Sequence, residues 1–373
     1  MLDRLNNILD AYQADGAVGS CLAVSLPGSA PVVVPNGFAD RERGTPVSAD
    51  HLFKIGSCTK TFVAATLMML AEDGLVDLDE PVKRWFPDLP RGDEILVRHL
   101  VNHRSGLPEF EFDVPMTADR TWTPGQLIEL AFSVRSQADP GRTVAYSNTG
   151  YVLAGMLIEM VTQDSLGGHV RKRILEPLGL ANTWSPATES FPDERLVRGY
   201  YYRPLPSTQG DSRPLEAGGE MWRMEGVLPF SDELQDATRL FPFSAAYACG
   251  DMVSTSADMV MFLNALFGGR LVSPKFLQEM IGNRAPTSFP GTRMEETGAG
   301  LFLSRYAGRS VFGHQGSIPG YVTVMQHDPT SGVTAALTSN VGSGNRFHFY
   351  ASGLHEVFDQ ALATALQDVK TQA

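Results

Sequence analysis

Basic residues are scarce in this chain of 373 residues: 30 Lys and Arg stand against 42 Asp and Glu, for a formal net charge of -12. A nucleic-acid binder carries a basic patch as its electrostatic footprint, and none is evident, so that class is set aside. Cysteine is scarcer still. Cys21, Cys58 and Cys249 are widely spaced and odd in number, which implies no disulfide framework. No run approaches the roughly 20 apolar residues that a membrane span needs. The first residues place Leu2, Leu5, Ile8, Leu9 and Tyr12 at helical spacing among charges, and they lack the continuous apolar core of a signal peptide. The expectation is a soluble, cytoplasmic protein, a monomer acting on a small molecule, with no nucleic-acid partner, no membrane partner and no cofactor.

Metal chemistry has equally little to stand on. His99 and His103 are four apart, a possible pair of ligands on one helix face, but no HExxH pattern accompanies them. No metal site is expected. Internal repeats and low-complexity tracts are also missing.

What is present is core. Hydrophobic residues make up 43% of the chain and charged residues 19%, enough for two or more structural lobes. After an amphipathic first helix come strand-like runs at residues 20–26 and 31–35, with Pro27 and Gly28 between them, which suggests antiparallel pairing. Residues 58–72, CTKTFVAATLMMLAE, are apolar almost all round and stop at Gly74, as a buried helix does. Helical periodicity dominates residues 79–199, for instance 151–161, and returns at 256–266 and about 350–366. Strand candidates follow at 300–306, 310–313, 321–327 and 333–339. Residues 200–244 show no steady period but many Pro, Gly and aromatic residues, a long ordered loop by this reading. The fold class expected is α+β: residues 1–75 and 245–373 form an antiparallel sheet with terminal helices, and 76–244 form a mainly helical insertion.

Three short motifs carry chemistry. In Ser57-Cys58-Thr59-Lys60 the lysine falls one helical turn after the serine if Ser57 opens the helix, so its amine can reach the serine oxygen. A serine hydroxyl needs such a base, and the apolar helix supplies the burial that lowers a lysine pKa. In Tyr146-Ser147-Asn148 a phenol can shuttle a proton and an amide can orient substrate or Lys60. The competing reading makes Asn148 a helix cap with Tyr146 packed on the first turn. In His314-Gln315-Gly316, at the end of a strand candidate, glycine permits close approach of another backbone or a ligand. The Ser317 N–H could then join that of Ser57 to hold an oxyanion. Each motif alone is weak, since the six lysines make one chance Ser-x-x-Lys unremarkable. Their order and settings together are far more specific.

That order, Ser-x-x-Lys, Tyr-x-Asn, His-x-Gly, resembles the family of serine β-lactamases, D-Ala-D-Ala peptidases, related esterases and D-amino-acid-specific hydrolases. Asn102-His103-Arg104-Ser105-Gly106-Leu107, Glu176-Pro177-Leu178-Gly179 and Gly250-Asp251-Met252-Val253-Ser254-Thr255 are similar to its landmarks. Within it, the run from His51 to Lys60, Trp85-Phe86-Pro87-Asp88-Leu89-Pro90 and the run from Tyr146 to Gly155 look closest to D-amino acid amidases. The resemblance implies a β-lactamase/DD-peptidase-like fold, with Ser57 as nucleophile and Lys60 and Tyr146 as the proton-handling pair.

The third motif often begins with lysine in this family, a charge suited to a substrate carboxylate; His314, largely neutral at pH 7, disfavours penicillins and D-Ala-D-Ala peptides. The acidic cluster Glu109, Glu111 and Asp113 follows the Ser105-Gly106-Leu107 turn, and Glu111 is the candidate partner for a substrate α-ammonium. Trp222, in the long loop, is the candidate contact for an apolar side chain. The expected activity is hydrolysis of D-amino acid amides. An esterase or D-aminopeptidase of the same family is the rival, ahead of a β-lactamase or DD-carboxypeptidase, and a non-catalytic ligand sensor on the same fold is the alternative of a different class.

Overall fold

Short apolar runs at both ends of the chain become one sheet. The computed structural model describes residues 1–110, 120–134, 137–204, 230–287, 293–342 and 353–372. Among them, strands β1 (Gly19–Ser25), β2 (Val32–Asp40) and β3 (Thr45–Pro46) come from the start of the chain. Strands β8 (Ala285–Pro286), β9 (Met294–Thr297), β10 (Phe302–Tyr306), β11 (Arg309–Ile318), β12 (Tyr321–His327) and β13 (Thr334–Ser339) come from its later part. The order is β3-β2-β1-β13-β12-β11-β10-β9-β8, with antiparallel neighbours throughout. The join between the two parts is β1 against β13, with Leu22 opposite Leu337.

Both faces of this sheet are covered, which explains why β1, β12 and β13 are buried at every position. Leu22, Val24, Ala335 and Leu337 pack on one side with Leu5, Leu9, Phe358 and Leu362 of the terminal helices Leu2–Ala14 and Gly353–Gln372. Cys21, Ala23 and Ala336 point to the other side, into the larger core. There the helix Thr59–Glu72 is buried from Thr59 through Leu70, and Phe62 stacks on Phe262 of the helix Ser256–Phe267 at 3.7 Å between ring centres. Burial of each such side chain contributes roughly 1.5–3 kcal/mol, so this helix is fixed by packing rather than by its surface.

Three sequence expectations are revised by the packing. Ser57 does not open the helix. It sits in a 3-10 turn, Gly56–Cys58, that follows β4 (Phe53–Lys54) and precedes the helix beginning at Thr59. Gly56 takes φ +51°, a left-handed conformation that favours glycine. The His314-Gln315-Gly316 motif lies inside β11 rather than at a strand end: β10 pairs with β11 only as far as Gly313, and β12 pairs with it on through the motif to Ile318. In the stretch read as irregular from Tyr200, β5 (Tyr200–Pro204) and β6 (Phe230–Asp236) form an antiparallel pair, and Phe243–Gly250 is helical. The small pair β4 with β7 (Val253–Ser254) ties the strand that precedes Ser57 to the segment that follows this helix.

Candidate active site

The Gly56–Cys58 turn presents Ser57 half-buried at the edge of a cleft. Lys60, on the first turn of the following helix, is wholly buried and donates from Nζ to Ser57 Oγ at 2.9 Å. Its second acceptor is the main-chain oxygen of Cys249 at 2.6 Å. The faces of Tyr146 and Tyr151 lie 4.9 and 5.4 Å from the ammonium. Tyr146 donates its hydroxyl to the same Ser57 Oγ at 2.7 Å. One serine oxygen thus receives both a lysine and a tyrosine, although the tyrosine comes from 89 positions along the chain.

The second motif is held by the helix Asn148–Thr162. Ser147, not Asn148, is its cap, accepting from Gly150 N at 3.0 Å. Asn148 lines the cleft, and its main-chain N–H donates to Glu109 Oε2 at 2.6 Å. The other Glu109 oxygen accepts from Phe110 N at 2.9 Å. A carboxylate at a helix N-terminus satisfies otherwise orphan N–H groups and suits the dipole there.

The third motif packs behind the turn. A Cβ at Gly316 would stand 1.9 Å from Ile55 O and 3.1 Å from Ser57 N, so glycine here allows strand β11 to press against the Gly56–Cys58 turn. Ser317 lines the cleft with Ser57, and a Cβ at Gly56 would be 3.1 Å from Ser317 N. His314 is buried and is not among the cleft-lining residues. Its Nδ1 is 2.6 Å from the Gln315 oxygen, and Nε2 has no hydrogen-bond partner among the described residues. Burial first, then the charge of Lys60, pushes its pKa down to about 3, so the ring is neutral at pH 7.

His103, which the metal reading paired with His99, serves differently. The helix Val97–Val101 ends before it, and it takes φ +61°, so the two histidines do not share a helix face. His99 Nδ1 accepts from Leu96 N at 3.2 Å, and His103 Nδ1 accepts from Ser147 N at 3.1 Å. The His103 ring stacks on Tyr146 at 4.5 Å. Burial, reinforced by Lys60 and His314, holds its pKa well below the usual histidine value. Among the described residues no group of three His, Cys, Asp or Glu could hold a metal ion, and no helix is long and apolar enough to cross a membrane.

The rest of the cleft wall is apolar: Phe110, Phe241, Ala245, Ala246, Ile318 and Pro319. Sequence reasoning missed these residues, and it missed the Cys249 carbonyl; only the Gly250–Thr255 landmark next to Cys249 pointed to that segment. Glu111 and Trp222 lie outside the described residues.

A family model described as Beta-lactamase matches residues 5–357. The solved structure of D-amino acid amidase from Ochrobactrum anthropi SV3, complexed with L-phenylalanine amide, is 42% identical, with a TM-score of 0.87 and coverage of 99% of each chain. Penicillin-binding protein 4* of Bacillus subtilis (strain 168) is 26% identical over 297 residues, 78% of this chain; the chain spans 60% of that protein's length. Esterase EstB of Burkholderia gladioli is 30% identical over 323 residues, covering 80% of this chain and 77% of the esterase.

Proposed function

The chain belongs to the Beta-lactamase family, as a serine hydrolase, and from that premise we propose that it hydrolyses D-amino acid amides through an acyl-enzyme on Ser57. The observation that carries the proposal is the convergence of Lys60 Nζ and Tyr146 OH on one serine oxygen. In the reactive form the Lys60–Tyr146 pair holds one proton fewer, as a neutral amine or a phenolate; Ser57 Oγ attacks the amide carbon and its proton passes to that vacant position. That pair returns a proton to the amide nitrogen as the C–N bond breaks, and ammonia leaves. Water then attacks the ester, its proton follows the same path to Ser57 Oγ, and the D-amino acid departs. The N–H groups of Ser57 and Ser317 hold the oxyanion formed in both steps.

Substrate class follows from charge and shape. A neutral, buried His314 offers no cation for a carboxylate beside the scissile bond, which argues against penicillins and D-Ala-D-Ala peptides. The apolar wall suits an apolar or aromatic side chain, and an aromatic amide is what the O. anthropi enzyme was solved with. We assign the α-ammonium to Glu111, since both oxygens of Glu109 are engaged by main-chain N–H groups. The D preference rests on the likeness to the amidase.

The test is ammonia release from paired D- and L-amino acid amides, with matching esters and a chromogenic cephalosporin alongside. Release from D-phenylalanine amide well above its L counterpart supports the proposal. The likeness to Esterase EstB favours one rival, an esterase. Ester turnover with no amide turnover would establish that rival, and label by fluorophosphonate without any turnover would leave a sensor.

A further inference from the structure

Lys54 is a lysine the mechanism does not use, and it is only 2% exposed. It closes β4, three residues before Ser57. Its Nζ donates to the main-chain oxygen of Thr238 at 2.8 Å and to that of Phe241 at 3.4 Å. The Phe243 ring covers it at 4.5 Å and the Tyr321 ring at 5.6 Å. The charged groups around it are Arg239, Asp193 and Asp236. Asp193 is held by Arg239, and Asp236 lies 3.4 Å from Arg198, so Lys54 makes its bonds to carbonyls rather than to a carboxylate.

Burying an ammonium in this way is costly, and an apolar side chain of the same length would avoid the cost. Burial indeed holds the Lys54 pKa down at about 7. What the ammonium supplies is geometry. The two carbonyls belong to the turn between β6 and the helix Phe243–Gly250. Along that turn and helix lie Phe241, Ala245 and Ala246, one side of the cleft, and then Cys249, whose oxygen holds Lys60. A single side chain on the strand leading to Ser57 therefore pins the opposite wall of the substrate cleft.

We propose that Lys54 is a specificity-positioning residue: it fastens the 238–241 turn to the strand leading to Ser57 and so fixes how far the Phe241 wall stands from the nucleophile. The acyl side chains accepted depend on that spacing. The choice of amide substrates below rests on the amidase reading, and the ester arm does not.

The experiment measures kcat and KM for D-alanine amide and D-phenylalanine amide, and acylation by p-nitrophenyl acetate and p-nitrophenyl phenylacetate. It uses the wild type, Lys54→Met, Phe241→Ala and the double variant. Lys54→Met is expected to change the large-to-small ratio of kcat/KM by about tenfold, the scale at which a pocket senses one or two methylenes. The change should fall on KM of the large substrate, with kcat for the small one nearly unmoved. In the Phe241→Ala background, Lys54→Met should move the ratio no further, because the wall it positions is gone. Equal losses on both sizes, or the full ratio change with Phe241 already removed, would overturn the proposal. Should Lys54→Met not fold, the same ratios are read on Lys54→Gln. If the wild type cleaves neither amide, the amidase reading fails, and the ester ratios still decide for or against Lys54.

Discussion

Lys60 is asked to do two things with one nitrogen: hold the Cys249 carbonyl and face Ser57 Oγ. The carbonyl fixes where the amine points, and the Tyr146 ring lies 4.9 Å from that nitrogen. Because Tyr146 also donates to Ser57, the proposed mechanism has lysine and tyrosine work as one unit on one proton. Ser57→Ala is therefore expected to abolish turnover in a folded protein, and Lys60→Ala and Tyr146→Phe each to be severe. The double variant should be little worse than either single one; additive losses in kcat would show independent roles. Glu111 is tested by charge instead. Glu111→Gln should cost an amide bearing an α-ammonium about 1.5–3 kcal/mol, or on the order of tenfold to a hundredfold in kcat/KM. A neutral ester should barely notice. Equal loss on both substrates would make Glu111 a support of the structure.

Among elements, strand β11 and the Gly56–Cys58 turn form the contact on which the site depends. A methyl at Gly316 would sit 1.9 Å from Ile55 O, and main-chain oxygen cannot step aside as a long side chain can. Gly316→Ala should force strand and turn apart and separate Ser317 from Ser57. A displacement of about 1 Å costs on the order of a hundredfold in rate, so kcat/KM should fall by that much in a folded protein. Near wild-type activity would show that the contact has slack. Ser147→Ala is a milder test: loss of the cap should lower stability by about 1 kcal/mol in urea unfolding. These elements were unevenly legible in the sequence. The helix Thr59–Glu72 and strands β1, β12 and β13 announce themselves by apolar runs, and the three motifs by residue type and order. The place of His314-Gln315-Gly316 inside β11 was not legible, since those residues have little strand preference and their pairing comes from β12, for which the motif itself carries no local signal. The pairing of β5 with β6 was hidden for a similar reason, as FSDELQD shows no apolar alternation. The Cys249 carbonyl leaves no trace in a sequence, because every residue has one.

Across the whole molecule, the sheet buries histidines on the side that carries the site, and this sets a pH limit on the fold. His103, His314 and His327 are all buried. Burial, the largest cause in each case, pushes His314 down to about 3 and His327 to about 4, and holds His103 well below its usual value. A folded-state pKa below the unfolded value means that the unfolded chain takes up protons first as pH falls. The stability these rings contribute is therefore complete above about 6.5, the unfolded histidine value, and is lost progressively below it. Buried Asp251 works the other way: burial raises it to about 7, so its contribution is lost as pH rises toward neutrality and regained in acid. Three histidines against that one carboxylate should leave a net loss on the order of a few kcal/mol between about pH 7 and about pH 5. The chain's pI is about 5.1, so urea unfolding, which keeps the protein in solution, is a better measurement than heating. His314→Gln removes one proton-binding difference without adding charge, and it should flatten the acid limb while leaving the neutral-pH slope alone. A limb of unchanged steepness in that variant would mean that His314 is already solvated in the folded protein, and that another group carries the acid sensitivity.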